Sequence, residues 1–141
     1  MEDVKSLIPH RPPFLFIDSI VELTENKIKT TKEISPDEAF FQGHYPGNPI
    51  MPGVLICESI FQTGAALLSK ILGGTGGGTP VITRIGGAKF KNIVRPGDTL
   101  ELEAELVETV SNAYFLKGSA KTNGKTAVTV EFTVTVIQAE I

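Results

Sequence analysis

The chain has little of the side-chain chemistry on which many protein classes depend. Among its 141 residues the only cysteine is Cys57, and the only histidines are His10 and His44. A single cysteine excludes a framework of intrachain disulfides, and so few soft ligands leave little with which to hold a structural or catalytic metal. We therefore expect a cytoplasmic protein that contains no metal and needs no cofactor.

An excess of positive charge is also missing. Thirteen lysines and arginines stand against 16 aspartates and glutamates, which gives a net charge of −3. Proteins that bind nucleic acid normally carry a basic patch or stripe, so we expect no nucleic-acid partner. The first five residues lack the basic and apolar regions of a signal peptide, so export is not predicted. The length suits one compact unit, and we expect residues 1–141 to form a single domain.

One long apolar segment stands out at residues 53–72. It is apolar on nearly every face, is charged only at Glu58 and Lys70, and stops at Gly73. This pattern predicts a helix that is buried around its whole circumference. The length would also suit a membrane span. Because an ionisable glutamate and several polar side chains interrupt the segment, we expect no membrane span.

Much of the remaining chain alternates between apolar and polar residues, as strands with one dry face do. Residues 100–106 and 128–136 follow this pattern, and we expect these two strands to be antiparallel neighbours. Residues 14–34 are predicted to form a two-stranded hairpin. The pair Asn123-Gly124 is typical of a tight hairpin turn. The resulting prediction is an α+β fold, with an antiparallel sheet of five or six strands wrapped around one long central helix.

The segment that precedes the helix is unusually rigid for a loop. Residues 40–53 contain three prolines and three glycines around His44. Proline fixes the backbone angle φ and glycine allows close backbone approach, so such a loop can hold an imidazole in place. Imidazole exchanges protons near neutral pH. His44 is therefore a candidate catalytic base or acid.

The start of the helix and its second turn supply complementary groups. The N–H groups of Gly53 and Val54 lie at the positive end of the helix, where they could stabilise negative charge on the carbonyl oxygen of a substrate. Glu58 follows among apolar neighbours, where desolvation favours its protonated form. A histidine base and a carboxylic acid provide the two proton transfers of a dehydration. A scheme in which His44 performs both transfers and Glu58 only holds the leaving water fits the same spacing.

These residues lie in motifs that resemble those of the 3-hydroxyacyl-[acyl-carrier-protein] dehydratases of type II fatty acid synthesis. The matching stretches span nearly the whole chain: Ile8-Pro9-His10-Arg11, Phe40-Phe41-Gln42-Gly43-His44-Tyr45-Pro46-Gly47, Pro52-Gly53-Val54-Leu55-Ile56, Glu58, Gln62 and Val94-Arg95-Pro96-Gly97-Asp98. The resemblance implies conversion of a (3R)-3-hydroxyacyl thioester to the trans-2-enoyl thioester. By the same resemblance His44 is the catalytic histidine, Glu58 the acid, Gly53 a carbonyl-binding N–H, and Gln62 the residue that orients the acid.

The resemblance further implies a hot-dog fold and a homodimer that is assembled as a trimer of dimers. Each site would combine His44 of one subunit with Glu58 of the other, with the acyl chain in a tunnel at their interface. Glutamate rather than aspartate at position 58 favours the non-isomerising type. Two stretches depart from the family pattern. Phe61 stands among residues that are usually small and could narrow the tunnel, and the segment 84–87 replaces one that usually carries an acidic residue.

Other functions remain open at this point. A hot-dog thioesterase would use Glu58 to activate water, a silent lipid-binding module would use neither group, and a dehydratase could serve a specialised polyketide or lipid pathway. Lys89, Lys91 and Arg95 form either a solvated face or a docking site for the acidic carrier protein.

Three further features receive structural interpretations. Cys57 is interpreted as an inert packing residue with a raised pKa. His10 is interpreted as part of a structural turn. The glycine-rich stretch from Gly73 to Gly78 is interpreted as a flexible connector, because it lacks the ending of a phosphate-binding loop.

Overall fold

The computed structural model describes residues 3–73 and 78–138, which form one helix packed against one sheet. The sheet has six strands, and every pair of hydrogen-bonded neighbours is antiparallel. The elements are β1 (Ser19–Leu23), β2 (Lys27–Glu33), α1 (Gly53–Leu72), β3 (Thr79–Phe90), β4 (Thr99–Val110), β5 (Ala113–Thr122) and β6 (Lys125–Ile137). Two short 3₁₀ helices, Val4–Ser6 and Ala39–Gln42, precede α1. The strand order is β1-β2-β4-β5-β6-β3.

Helix α1 has the predicted bounds. Gly73 follows it in the left-handed conformation, with φ of 62°, and its N–H donates to the carbonyls of Ser69 and Lys70. Glycine adopts this conformation without steric cost, so it ends the helix cleanly. The helix is long and apolar enough to span a membrane, but it packs against β2, β4, β5 and β6 and is therefore a core helix. The connector predicted after it falls largely on residues 74–77, outside the described residues, and β3 has already begun at Thr79.

Two glycines allow the helix to lie close to the inner face of the sheet. A β-carbon on Gly64 would lie 2.8 Å from Cζ of Phe132, and one on Gly118 of β5 would collide with Ile60. The core around this contact includes Leu102 and other inward-facing residues of β4 and β6. The predicted helix-on-sheet architecture is confirmed.

The sheet covers only part of the helix within one chain. Val54 is 72% exposed and Ile71 39% exposed, while Phe61 and Ala65 are half-buried. A sheet of six strands packs against one side of a helix, so the predicted burial of the whole circumference is not reached by a single chain. The uncovered face carries Glu58.

Two details of the predicted strands are wrong. The hairpin is present, but β1 begins only at Ser19, and residues 14–17 pack over the helix instead of pairing as a strand. The strands that contain residues 100–106 and 128–136 are not neighbours, because β5 lies between them. Polar residues interrupt the alternation of apolar and polar side chains in β5, so the sequence pattern did not predict this strand. The turn at Asn123-Gly124 is confirmed, since both residues have positive φ, 53° and 76°.

Strand β3 lies at an edge of the sheet and pairs only with β6 among the described strands. Ile82 lies opposite Val134 and Ile85 opposite Phe132, so both isoleucines are on the helix side of the sheet. They are nevertheless 38% and 55% exposed. This edge leaves apolar surface uncovered on the same side as the uncovered face of the helix.

Candidate active site

His44 lies in the loop that connects the second 3₁₀ helix to α1, and this loop is tied to the turn between β3 and β4. The N–H of Met51 donates to the carbonyl of Val94 at 2.8 Å, and Nη1 of Arg95 donates to Oδ1 of Asn48 at 2.7 Å. Both bonds flank the histidine on its C-terminal side. The rigid loop predicted from its prolines and glycines is thus also anchored from outside.

The hydrogen bond of His44 decides which ring nitrogen is available for proton transfer. Its Nδ1 lies 2.9 Å from the carbonyl oxygen of Ile50. A carbonyl can only accept, so the neutral ring carries its proton on Nδ1 and keeps a lone pair on Nε2. The ring also packs edge-on against Tyr45, with centroids 4.7 Å apart. Nε2 is therefore the atom that can act as a base.

Glu58 is held by a fully buried glutamine one helical turn away. Nε2 of Gln62 donates to Oε2 of Glu58 at 3.0 Å and to the carbonyl of Phe14 at 2.9 Å. Oε1 of the same amide accepts from the N–H of Phe16 at 2.8 Å. Because that N–H can only donate, the amide orientation is determined and its nitrogen must face Glu58. The side chain of Glu58 is 22% exposed, so its desolvation is only partial.

The carboxyl group of Glu58 faces a cleft of about 410 Å³ between α1, the N-terminal segment and β3. The lining is otherwise mostly apolar and includes Pro9, Phe14, Phe61, Ala65, Val81, Ile82 and Val134. A second cleft of about 480 Å³ adjoins it, shares Pro9, Ala65, Thr79 and Pro80, and reaches Leu72. Leu72 lies about 21 Å beyond Glu58 along the helix axis at a rise of about 1.5 Å per residue. The two clefts therefore form one elongated apolar path that begins at the carboxyl group.

The first turn of α1 presents two unpaired N–H groups. The bonds within the helix begin with the N–H groups of Leu55 and Ile56, which both donate to the carbonyl of Pro52. Gly53 and Val54 precede them, and neither N–H bonds to an acceptor among residues 3–73 or 78–138. The ring of Phe90 covers Gly53 so closely that a β-carbon there would lie 2.7 Å from Cδ1. A larger residue at this position would have to displace the Phe90 ring.

His44 and Glu58 have different bonding partners within the part of the chain that the structure describes. Among the described residues no hydrogen bond or ion pair joins them, and the imidazole near Glu58 is that of His10, with Nε2 3.7 Å from Oε2. The sequence did not predict that His10 lies beside Glu58, because the two residues are far apart in the chain. The motif Ile8–Arg11 was the only sequence feature that drew attention to the N-terminal segment.

The remaining candidates differ in their surroundings. Cys57 is buried, and burial raises the pKa of its thiol, as predicted for a packing residue. Arg95 is engaged by Asn48, whereas Lys89 and Lys91 are exposed and make no ion pair with any residue that the structure describes. Within that same part of the chain, no group of three or more histidine, cysteine or acidic side chains could hold a metal ion.

Comparisons with known proteins agree on one family. The family model of the FabA-like domain matches residues 8–131. The 3-hydroxyacyl-[acyl-carrier-protein] dehydratase FabZ of Petrotoga mobilis is 46% identical over 85% of each chain. The protein of the same name from Clostridium perfringens is 44% identical over 90% of this chain and 91% of its own.

Solved structures with low sequence identity share the fold. The dehydratase heterocomplex ApeI:P from Xenorhabdus doucetiae superposes with a TM-score of 0.81 at 15% identity, over 96% of this chain and 91% of the other. A hypothetical thioesterase from Streptococcus pneumoniae, solved with coenzyme A, has a TM-score of 0.66 at 14% identity over 84% of each chain. At this identity the likeness concerns the fold alone, and it confirms the predicted hot-dog fold.

Proposed function

The chain belongs to the FabA-like family of 3-hydroxyacyl-[acyl-carrier-protein] dehydratases and removes water from 3-hydroxyacyl thioesters in fatty acid biosynthesis, and we propose that His44 and Glu58 perform its two proton transfers. In this scheme Nε2 of His44 removes a proton from C2 of the substrate. The protonated carboxyl of Glu58 gives its proton to the C3 hydroxyl, which leaves as water. The electron pair of the C2–H bond forms the C2–C3 double bond of the trans-2-enoyl product.

Negative charge builds on the thioester carbonyl oxygen while the C2 proton leaves. The unpaired N–H groups of Gly53 and Val54 supply donors for that oxygen at the positive end of α1. Loss of one such donor typically costs about 3–4 kcal/mol of transition-state stabilisation. We therefore assign both N–H groups to carbonyl binding.

The main support for the proposal is the hydrogen bond from Gln62 to the carboxyl group of Glu58. A fully buried amide that uses both its oxygen and its nitrogen fixes one carboxyl oxygen at the mouth of an apolar path. A general acid needs such fixed geometry. Gln62 is accordingly proposed as the residue that orients the acid.

The site is proposed to be completed by a second copy of the chain. The uncovered edge of β3 and the uncovered face of α1 lie on the same side of the sheet, and they expose Val54, Ile82 and Ile85. Pairing of two β3 edges would cover these residues and join two sheets. The same pairing is proposed to bring His44 of one copy close to Glu58 of the other. We propose that each subunit is a single domain and that two subunits form a homodimer. Three such dimers are proposed to assemble into a trimer of dimers, in the cytoplasm.

The acyl chain is proposed to follow the apolar path from Glu58 toward Leu72. Phe61 packs against Phe132, with ring centroids 4.9 Å apart, and lines the path next to the carboxyl group, where we propose that it narrows the space for the acyl chain. Lys89 and Lys91 are exposed, and we propose that they help dock the acidic acyl carrier protein through complementary charge. Lys89 pairs with Thr129 and lies on the outer face of the sheet, beside Glu103 and Glu131. Arg95 instead holds the loop of His44 through Asn48.

Mass spectrometry of the carrier protein tests the proposal directly. The 3-hydroxyacyl carrier protein is incubated with the wild type, His44→Ala and Glu58→Gln, and loss of one water is followed. We expect the wild type to dehydrate the substrate and each variant to lose at least about a hundredfold in rate. Release of free carrier thiol would instead indicate a thioesterase, and unchanged substrate with every protein would indicate a silent binding module.

A further inference from the structure

His10 is a second polar group at the carboxyl of Glu58, and the scheme above does not use it. Its Nε2 lies 3.7 Å from Oε2, the same oxygen that accepts from Gln62 at 3.0 Å. Oε1 accepts no hydrogen bond from residues 3–73 or 78–138. His10 and Glu58 are also the only titratable side chains among the described residues that line this cleft.

The surroundings of His10 select one tautomer of its ring. Nδ1 is buried and has no hydrogen-bond partner in the described chain, whereas Nε2 faces Glu58. A proton on Nε2 finds an acceptor and a proton on Nδ1 finds none, so the neutral ring carries its proton on Nε2. The ring stacks on Phe14 at 6.4 Å, and Nη1 of Arg11 donates to the carbonyl of His10 at 2.6 Å. His10 is thus held as a donor directed at Glu58.

We propose that His10 is a positioning residue which, together with Gln62, reserves Oε2 of Glu58 as an acceptor and thereby places the transferable proton on Oε1. An oxygen that accepts from two donors is a poor place for the proton of a carboxylic acid, so the proton resides on the other oxygen. Among the described residues Oε2 accepts a hydrogen bond from Gln62 alone, because 3.7 Å is too long for one from His10. In the proposed arrangement the two side chains move together to hydrogen-bonding distance when substrate binds, as contacts of catalytic groups commonly do. The inference rests on the proposed role of Glu58 as the acid.

Two substitutions of His10 separate hydrogen bonding from packing. His10→Phe keeps a ring against Phe14 but removes the donor, and His10→Gln keeps an N–H donor near the position of Nε2. We expect His10→Phe to lower kcat about tenfold with KM unchanged, the scale of one hydrogen bond between neutral groups. His10→Gln should recover kcat to within about threefold of the wild type. Activity is measured with the full chain and 3-hydroxyacyl carrier protein, and thermal unfolding and size are measured for each variant.

The outcomes distinguish this inference from the proposed function. Equal loss of kcat in His10→Gln and His10→Phe, or a change confined to KM, overturns the positioning role. A fully active His10→Phe overturns it as well, provided that Glu58→Gln is inactive in the same assay. If Glu58→Gln retains wild-type activity, the proposed function itself fails. Should His10→Phe not fold, His10→Asn serves in its place, because its shorter side chain does not carry the donor to Oε2.

Discussion

An equimolar mixture of two inactive variants should recover activity if the site is shared between subunits. His44→Ala removes the base from every site of its own homodimer, and Glu58→Gln removes the acid from every site of its own. In a mixed dimer, one site combines both substitutions, and the other combines the intact His44 with the intact Glu58. The structure motivates this test because no described contact joins the two residues within one chain.

The expected magnitude follows from the symmetry of the dimer. Random pairing makes half of the dimers mixed, and each mixed dimer has one intact site of two, so the mixture should regain about one quarter of the wild-type rate per site. The same fraction holds if dimers assemble further, because each site depends on only two chains. If the protein stays dimeric, mixed dimers purified through two different affinity tags should reach about one half of the wild-type rate; if the dimers assemble further, the tags retain almost every assembly and the fraction stays about one quarter.

The assay is the formation of enoyl carrier protein after the two variants are expressed together. Each variant expressed alone gives the baseline, and a mixture of the purified homodimers without subunit exchange gives the control for contamination. Activity that stays at this baseline in purified mixed dimers would refute the shared site. It would mean that His44 and Glu58 of the same chain act together.

Three further predictions concern packing and reactivity. Gly53→Ala should lower the free energy of unfolding by about 1–3 kcal/mol, because the added methyl group would meet the ring of Phe90. Thermal unfolding measures this loss, and the double variant Gly53→Ala/Phe90→Leu should recover part of it. Ile85→Lys should turn the assembly into monomers by gel filtration, whereas Val107→Lys, at a residue of β4 that is equally exposed, should leave the dimer intact. Cys57 should react with iodoacetamide at pH 8 at least about tenfold more slowly in the native protein than in the urea-unfolded protein, because burial raises the pKa of its thiol. Equal rates in the two states would contradict the interpretation of Cys57 as an inert packing residue.

Structural features that depend on residues close together in the chain were predictable from the sequence. The helix over residues 53–72 and its end at Gly73 follow from a long apolar segment and the conformational freedom of glycine. The turn at Asn123-Gly124 follows from turn chemistry that operates over two residues. The motifs around His44 and Glu58 were sufficient to predict the family, because they resemble those of known 3-hydroxyacyl-[acyl-carrier-protein] dehydratases.

The features that join distant parts of the chain were decided by tertiary structure. Burial of the amide of Gln62 requires partners for its polar atoms, and the segment 14–16 supplies them instead of forming the predicted strand. Strand β5, by contrast, is the neighbour of β4 and β6 in the chain as well as in the sheet, and it was not predicted because its alternation is broken. His10 meets Glu58 only because that N-terminal segment folds over α1. Local periodicity specifies which face of an element is apolar, but the partner that covers the face is chosen by long-range packing.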